Sequence, residues 1–185
     1  VSLTNEMLIA PFNDAEAASQ MIEANADVLA GVIVEPQQRL IPPKPGFLQG
    51  LRAVTAKHGI PLIFDEIVTG FRHSYAGAQG YYKVVSDMCA LGKIVGGGYP
   101  LAAVAGSDEI MKHFDKARVG DEGYVQQTGT LSGNPIAAAA GLATLNALKR
   151  PGVYEKAHET GRELVTALKA ILAKRGIAAD VVGEP

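Results

Sequence analysis

Tryptophan is absent from this chain, and cysteine occurs once, at Cys89. A lone thiol excludes an internal disulfide framework, and its place in the apolar run Met88-Cys89-Ala90-Leu91 reads as a small core residue in a reducing compartment. Charge of either sign is in short supply. With 17 Lys and Arg against 19 Asp and Glu, the formal charge is −2, which gives no electrostatic footprint for nucleic acid or an anionic membrane. No apolar run approaches the roughly 20 residues needed to cross a bilayer. The opening VSLTNEMLIAPF has neither the basic region nor the apolar stretch of a secretory leader. The expected location is therefore cytoplasmic, with no nucleic-acid or membrane partner. Familiar site signatures are missing too. His58, His73, His113 and His158 share no metal-ligand spacing, so no metal is expected. There is no GxSxG, and GGGYP does not fit GxGxxG. GKIVGGG is not a phosphate loop, because Ile94 stands where a magnesium-binding Ser or Thr is needed.

What is present is ordinary globular material: 185 residues, 48% hydrophobic and 19% charged, enough for one domain with a real core. MLIAPF at 7–12 reads as a strand, followed by a helix over about 15–26 capped by Asp14. Val28 to Val34 reads as a central strand ended by Glu35-Pro36. A helix from Phe47 to His58, closed by Gly59, precedes the strand Leu62-Ile63-Phe64. Strand and helix in alternation imply crossovers and a mostly parallel sheet. A glycine- and tyrosine-rich connection over 73–85 holds a short helix near Ala78. Further along come the strands at 88–91 and about 102–106, and a short helix DEIMKHF with Ser107 at its cap. Residues 119–127 read as a polar loop. Asn134-Pro135 then opens a strong helix that Pro151 breaks. Tyr154 to Arg175 reads as a long amphipathic helix closed by Gly176, with a new strand starting after it.

The stretch from Leu62 to Pro100 carries the chemistry. Two short buried strands each end near a charged residue: Leu62-Ile63-Phe64 leads into Asp65-Glu66, and Met88 to Leu91 leads through Gly92 into Lys93. Ligands of open α/β sheets sit at the carboxyl ends of such strands, so Asp65 and Lys93 are expected to face one crevice. Two readings of the pair stand on residue types alone. One is a structural ion pair, or two surface residues that never meet. The other is a site where the lysine forms a Schiff base with pyridoxal 5'-phosphate (PLP) and the acid pairs with the pyridinium nitrogen. Burial of that lysine favours loss of its proton.

Five words decide between these readings: VIVEP at 32–36, LIFDEIVTGFR at 62–72, GAQGYY at 77–82, LGKIVGGGYPLAA at 91–103 and GTLSGNP at 129–135. In this order and spacing they resemble the class III, fold-type-I PLP-dependent aminotransferases. The resemblance is strongest to the branch that includes glutamate-1-semialdehyde 2,1-aminomutase. It implies that Lys93 is the aldimine lysine and the acid-base group that moves the substrate proton. Asp65 becomes the acid that keeps the ring nitrogen protonated. Thr130 becomes the residue whose hydroxyl and backbone N–H reach the cofactor phosphate of a neighbouring subunit, which implies a homodimer with shared sites. Val68 takes the place where some relatives carry glutamine beside the cofactor hydroxyl, and lays apolar surface near the ring instead. Gln38 is a candidate for the pocket wall. Leu40 stands where ornithine- and GABA-type relatives carry a glutamate, which argues against their specificities. Glu66 is read as loop support with Arg72 as its structural partner, and Tyr81-Tyr82 as packing.

The resemblance further implies an α/β fold: a three-layer PLP-dependent transferase-like large domain with a mostly parallel sheet. Residues 1–150 correspond to part of that domain. Residues 151–185 correspond to a linking helix and the start of a small C-terminal domain. The family's upstream glycine turn, ring-stacking aromatic and small domain have no counterpart among the 185 residues, so the chain reads as a fragment. The implied activity is transfer of an amino group between a small-molecule amino donor and an oxo acceptor. The aminomutase reaction and a truncated, non-catalytic polypeptide are the alternatives.

Overall fold

The computed structural model describes residues 6–183. Four strands form one sheet in the order β1-β2-β3-β4: β1 (Val32–Val34), β2 (Leu62–Glu66), β3 (Met88–Leu91) and β4 (Ala103–Gly106). The first three are parallel, with Val34 opposite Phe64 and Asp65 opposite Ala90. The last is antiparallel, with Leu91 opposite Ala103. The expected α/β class with a mostly parallel sheet is therefore the observed one.

Side chains alternate across a pleated sheet, and the alternation sets the layers. Leu62 and Phe64 have no exposure at all. They point into a core shared with α1 (Ala15–Ala24) and α2 (Phe47–His58), which supply Ala18, Ile22, Leu48, Leu51 and Val54. Cys89 joins this core as expected, and its burial pushes the thiol's pKa above the ordinary value. Ile33, on the opposite face of β1, is 67% exposed.

Local signals place most helix ends. The Asp14 side chain accepts from the Ala17 N–H at 2.9 Å, satisfying one of the four orphan donors of a helix start. Gly59 closes α2 in the left-handed region, φ 66°. Between β2 and β3 lies α3 (Gly77–Tyr82), and after β4 come α4 (Asp108–Met111) and α5 (Lys116–Gly123). The helix α6 (Pro135–Leu148) starts with Asn134 accepting from the N–H groups of Ile136 and Ala137. The last helix is α7 (Val153–Lys174). Its first turns dock on the connection between β2 and β3: the Tyr154 hydroxyl donates to the Phe71 carbonyl at 2.9 Å, and His158 Nε2 lies 3.0 Å from the His73 carbonyl. His73 is buried, with its ring 5.1 Å from that of Tyr81. Tyr81 and Tyr82 pack edge to face at 5.0 Å.

Several expectations need correction. Residues 7–12 are not a strand: no ladder pairs with them among the described residues, and Met7, Leu8 and Ile9 are exposed. An apolar run becomes a strand only where a sheet edge receives its backbone groups. Residues 177–182 form no strand for the same reason, while the last two positions of that expectation, 184 and 185, lie outside the described residues. The polar loop expected over 119–127 begins inside α5, which runs through a break at Gly120, φ 72°. Asp115 starts that helix by accepting from the Ala117 N–H. Ser107 occupies the cap position of α4, yet its side chain makes no capping bond there.

Candidate active site at the ends of two parallel strands

The sheet register brings Asp65 and Lys93 to one edge. Asp65 pairs with Ala90 and Glu66 with Leu91, so Asp65 is near the carboxyl end of β2 and Lys93 lies two residues past the end of the neighbouring β3. Asp65 is half-buried, and its Oδ1 accepts from the Ile67 N–H at 3.1 Å. No hydrogen bond or ion pair joins it directly to Lys93 among the described residues. The structural ion pair that residue types alone allowed is therefore not what is found.

Consecutive strand residues point to opposite faces, and the two acids of β2 part company accordingly. Glu66 is 1% exposed. Its Oε2 accepts from the Thr69 hydroxyl at 3.1 Å and from the Ala78 N–H at 2.6 Å. Arg72 is not its partner, since the Arg72 Nε donates to the Val68 carbonyl at 3.0 Å instead. The chain reverses just after Glu66, where the Gly70 N–H donates to the Glu66 carbonyl at 2.8 Å. Val68 sits half-buried on this turn, beside Asp65 in the chain.

Lys93 opens a 3₁₀ turn, Lys93–Gly96, after an extended Gly92. Its φ of 49° lies in the left-handed region, which costs a residue with a Cβ about 1–2 kcal/mol. Backbone held this way persists where surrounding packing enforces it, and such residues concentrate at functional sites. The packing here comes from α6. A Cβ at Gly141 would stand 2.7 Å from the Val95 carbonyl oxygen, and one at Gly97 (φ 58°) would collide with Thr144. Two glycines thus let α6 lie directly against the lysine turn. A glycine inside an otherwise alanine-rich helix was the sequence signal for this contact, and it went unread. Lys93 itself is exposed, so the burial expected for it is not supplied by the described residues.

Thr130 lies, exposed, in the turn that precedes α6. With Gln127, Thr128, Gly129 and Ser132 it lines an open cleft of ≈ 520 Å³. The turn is held by the Ser132 N–H donating to the Gly129 carbonyl and the Asn134 N–H to the Leu131 carbonyl. Its hydroxyls and the start of a 14-residue helix form the kind of concavity that binds anions. One body therefore ties two candidate residues together: α6 begins at the Thr130 turn and braces the Lys93 turn along its length. Gln37, after β1, also went unremarked. It is 5% exposed, and its Oε1 has no hydrogen-bond partner among the described residues. Gln38, the neighbour expected to line the pocket, is exposed.

Behind the site, Asp87 fastens the strands. Its Oδ2 accepts from Arg52 Nη1 at 2.8 Å and from the Leu62 N–H at 2.7 Å. Burial pushes its pKa up, but the Leu62 N–H and the Arg52 guanidinium together outweigh this and hold it below the ordinary value of 3.8.

Known proteins share both sequence and fold with this chain. Glutamate-1-semialdehyde 2,1-aminomutase of Natranaerobius thermophilus is 41% identical over 183 residues, which are 97% of this chain and 41% of that protein. An omega-transaminase from Sphaerobacter thermophilus superposes with a TM-score of 0.91 at 36% identity, covering 97% of this chain and 41% of the other. A transaminase with PLP bound gives a TM-score of 0.88 at 28% identity, covering 96% and 42%. The chain thus spans about two-fifths of the length of the proteins it matches. The sequence profile of the family described as Aminotransferase class-III matches residues 4–184, and it is to the class III aminotransferases that this chain belongs.

Proposed function

We propose that the chain carries the lysine and aspartate of a PLP-dependent aminotransferase that moves an amino group between an amino acid or amine and an oxo acid or aldehyde. The observation that supports it best is the arrangement of Asp65 and Lys93 at the carboxyl ends of adjacent parallel strands, where open α/β sheets bind ligands. The residues present fit the cofactor. A lysine amine, a carboxylate for the pyridine nitrogen and a hydroxyl-rich turn at a helix start match its aldehyde, ring and phosphate in turn. When bound, PLP supplies an electrophilic carbonyl and a sink for the electrons of a broken C–H bond.

In this reading Lys93 would hold the cofactor through its amine and would carry a proton to and from the substrate carbon, a role worth roughly 10²- to 10⁴-fold. Asp65 keeps the ring nitrogen protonated. The N–H of Ile67 on Oδ1 steadies its carboxyl while leaving Oδ2 for the ring. Val68 offers apolar surface beside it. Thr130 binds phosphate and, following the resemblance, serves the neighbouring subunit of a homodimer. Residues 1–150 form part of the cofactor-binding domain, and 151–185 lead into a small domain. The proposed place of work is the cytoplasm. Among the described residues no helix is long and apolar enough to cross a membrane.

The similarity to aminomutases supports a second reading, in which the same residues move an amino group within one molecule. Incubation with PLP, borohydride reduction and peptide mapping test the site. A phosphopyridoxyl group confined to Lys93 is expected, and its absence from a folded full-length protein would overturn both readings. Conversion of glutamate-1-semialdehyde without any added amino donor or acceptor would then select the mutase. Dependence on an external donor would select the aminotransferase.

A further inference from the structure

We propose that Glu66 is a positioning residue, which sets the Asp65–Val68 turn from beneath and so holds Asp65 against the cofactor ring. The proposal rests on the PLP reading of the site. Three observations carry it. Glu66 is nearly inaccessible, so it cannot touch substrate or cofactor, and its Oε2 receives two donors from separate pieces of chain, Thr69 on the turn and Ala78 at the start of α3. Both of those residues are themselves buried, at 1% and 0% exposure. Finally, the backbone around Glu66 is shaped to it. Gly77 has φ 64°, and a Cβ there would collide with Glu66 Oε2.

These contacts link two directions of control. The turn that Glu66 pins from the core side is the one whose Ile67 N–H donates to Asp65 on the other face. Removal of the Glu66 side chain leaves the buried Ala78 N–H without its acceptor and frees Thr69. A buried donor left unmade is costly, and the turn relieves it by moving. When the turn moves, Ile67 moves with it, and Asp65 loses the bond that orients its carboxyl. Glu66→Gln keeps an acceptor oxygen of the same reach and is expected to preserve the arrangement.

The test is made on the full-length protein loaded with pyridoxal phosphate, reading the induced visible circular dichroism of the bound cofactor and the pH titration of its absorption beside turnover. For Glu66→Ala the expected result is loss of most of the induced signal, a displaced pH midpoint and a kcat at least 10-fold lower with KM changed less. Glu66→Gln should restore the signal and stay within about 3-fold of the parent. Thr69→Val, which removes one donor and keeps the volume, should fall between the two. It also serves as the probe should Glu66→Ala fail to fold. Lower thermal stability with an unchanged cofactor signal in Glu66→Ala or Thr69→Val would show a purely structural role and overturn the proposal. Absence of any cofactor signal in the parent protein would overturn the PLP reading itself, and this proposal with it.

Discussion

Two regions of the molecule differ sharply in how they bury apolar surface. From Ala15 to Leu91, strands and helices enclose one core: Leu62, Phe64 and Leu48 are at most 1% exposed. From Tyr99 onward the same residue types lie open. Every residue of β4 is exposed, α7 buries none of its residues, and Leu142, Leu164 and Ile171 are 62%, 59% and 56% exposed. The first region is held by packing between layers. The second is held by helix caps, local hydrogen bonds and a few docking points, chiefly Gly141 against the lysine turn and Tyr154 on Phe71. The candidate site straddles the boundary, with Asp65 on the packed side, Thr130 on the open side and Lys93 at the junction. The acid thus sits on well-buried support, and the Thr130 turn on exposed support.

The comparison is open to direct attack. The largest effect belongs to the junction: Lys93→Ala is expected to lower turnover of the full-length protein by at least about 100-fold, the lower end of what a positioned proton carrier supplies. Activity retained in that variant would remove Lys93 from the chemistry. Next in size is the packed core. Phe64→Ala should cost about 3–5 kcal/mol in denaturant unfolding, and a cost below 1 kcal/mol would mean that this region is not the tight one. Gly141→Ala probes the seam. A methyl group so close to the Val95 carbonyl has to displace α6 or the lysine turn, at about 1–3 kcal/mol. Labelling of Lys93 by PLP and borohydride should fall with it, and unchanged labelling would uncouple helix from turn.

Two smaller effects sharpen the contrast. Because Asp87 titrates below 3.8 in the folded protein, its contacts stabilise the fold above the unfolded-state value and are lost as pH falls through the folded one. Asp87→Asn should therefore flatten the pH dependence of stability below about pH 4, and an unaltered acid limb would exclude Asp87 as its source. Smallest of all, Leu164→Ala on the open side should change stability by no more than about 0.5 kcal/mol. A loss of 2 kcal/mol or more, or a loss that depends on protein concentration, would show that this face is covered in solution.

Much of this arrangement was legible from residue order because it depends on near neighbours. Asp14 and Asn134 cap their helices through N–H groups two or three residues away, and Gly59 ends α2 through its own backbone freedom. Strands ending at Asp65-Glu66 and Gly92-Lys93 follow from short apolar runs bounded by turn residues. Their placement side by side follows from the crossover rule for parallel sheets. The five family words carried the family assignment, which the match over residues 4–184 bears out.

Other features depended on partners distant in the chain. MLIAPF has the composition of a strand, but a strand also needs an edge to pair with, and that is a property of the whole sheet. Glu66 does support the loop as read, but its partner is not Arg72, the nearest opposite charge; the actual partners are a hydroxyl and a backbone N–H, one of them 12 residues ahead. Gly141 reads in isolation as a weak point of a helix and acquires its purpose only from the carbonyl that packs against it. Local chemistry chose the elements and the reactive residue types. Tertiary contact alone settled that Glu66 is locked in the core while the adjacent Asp65 stays half-buried on the other face, because a pleated strand sends neighbours to opposite sides and only the surrounding layers give those sides their meaning.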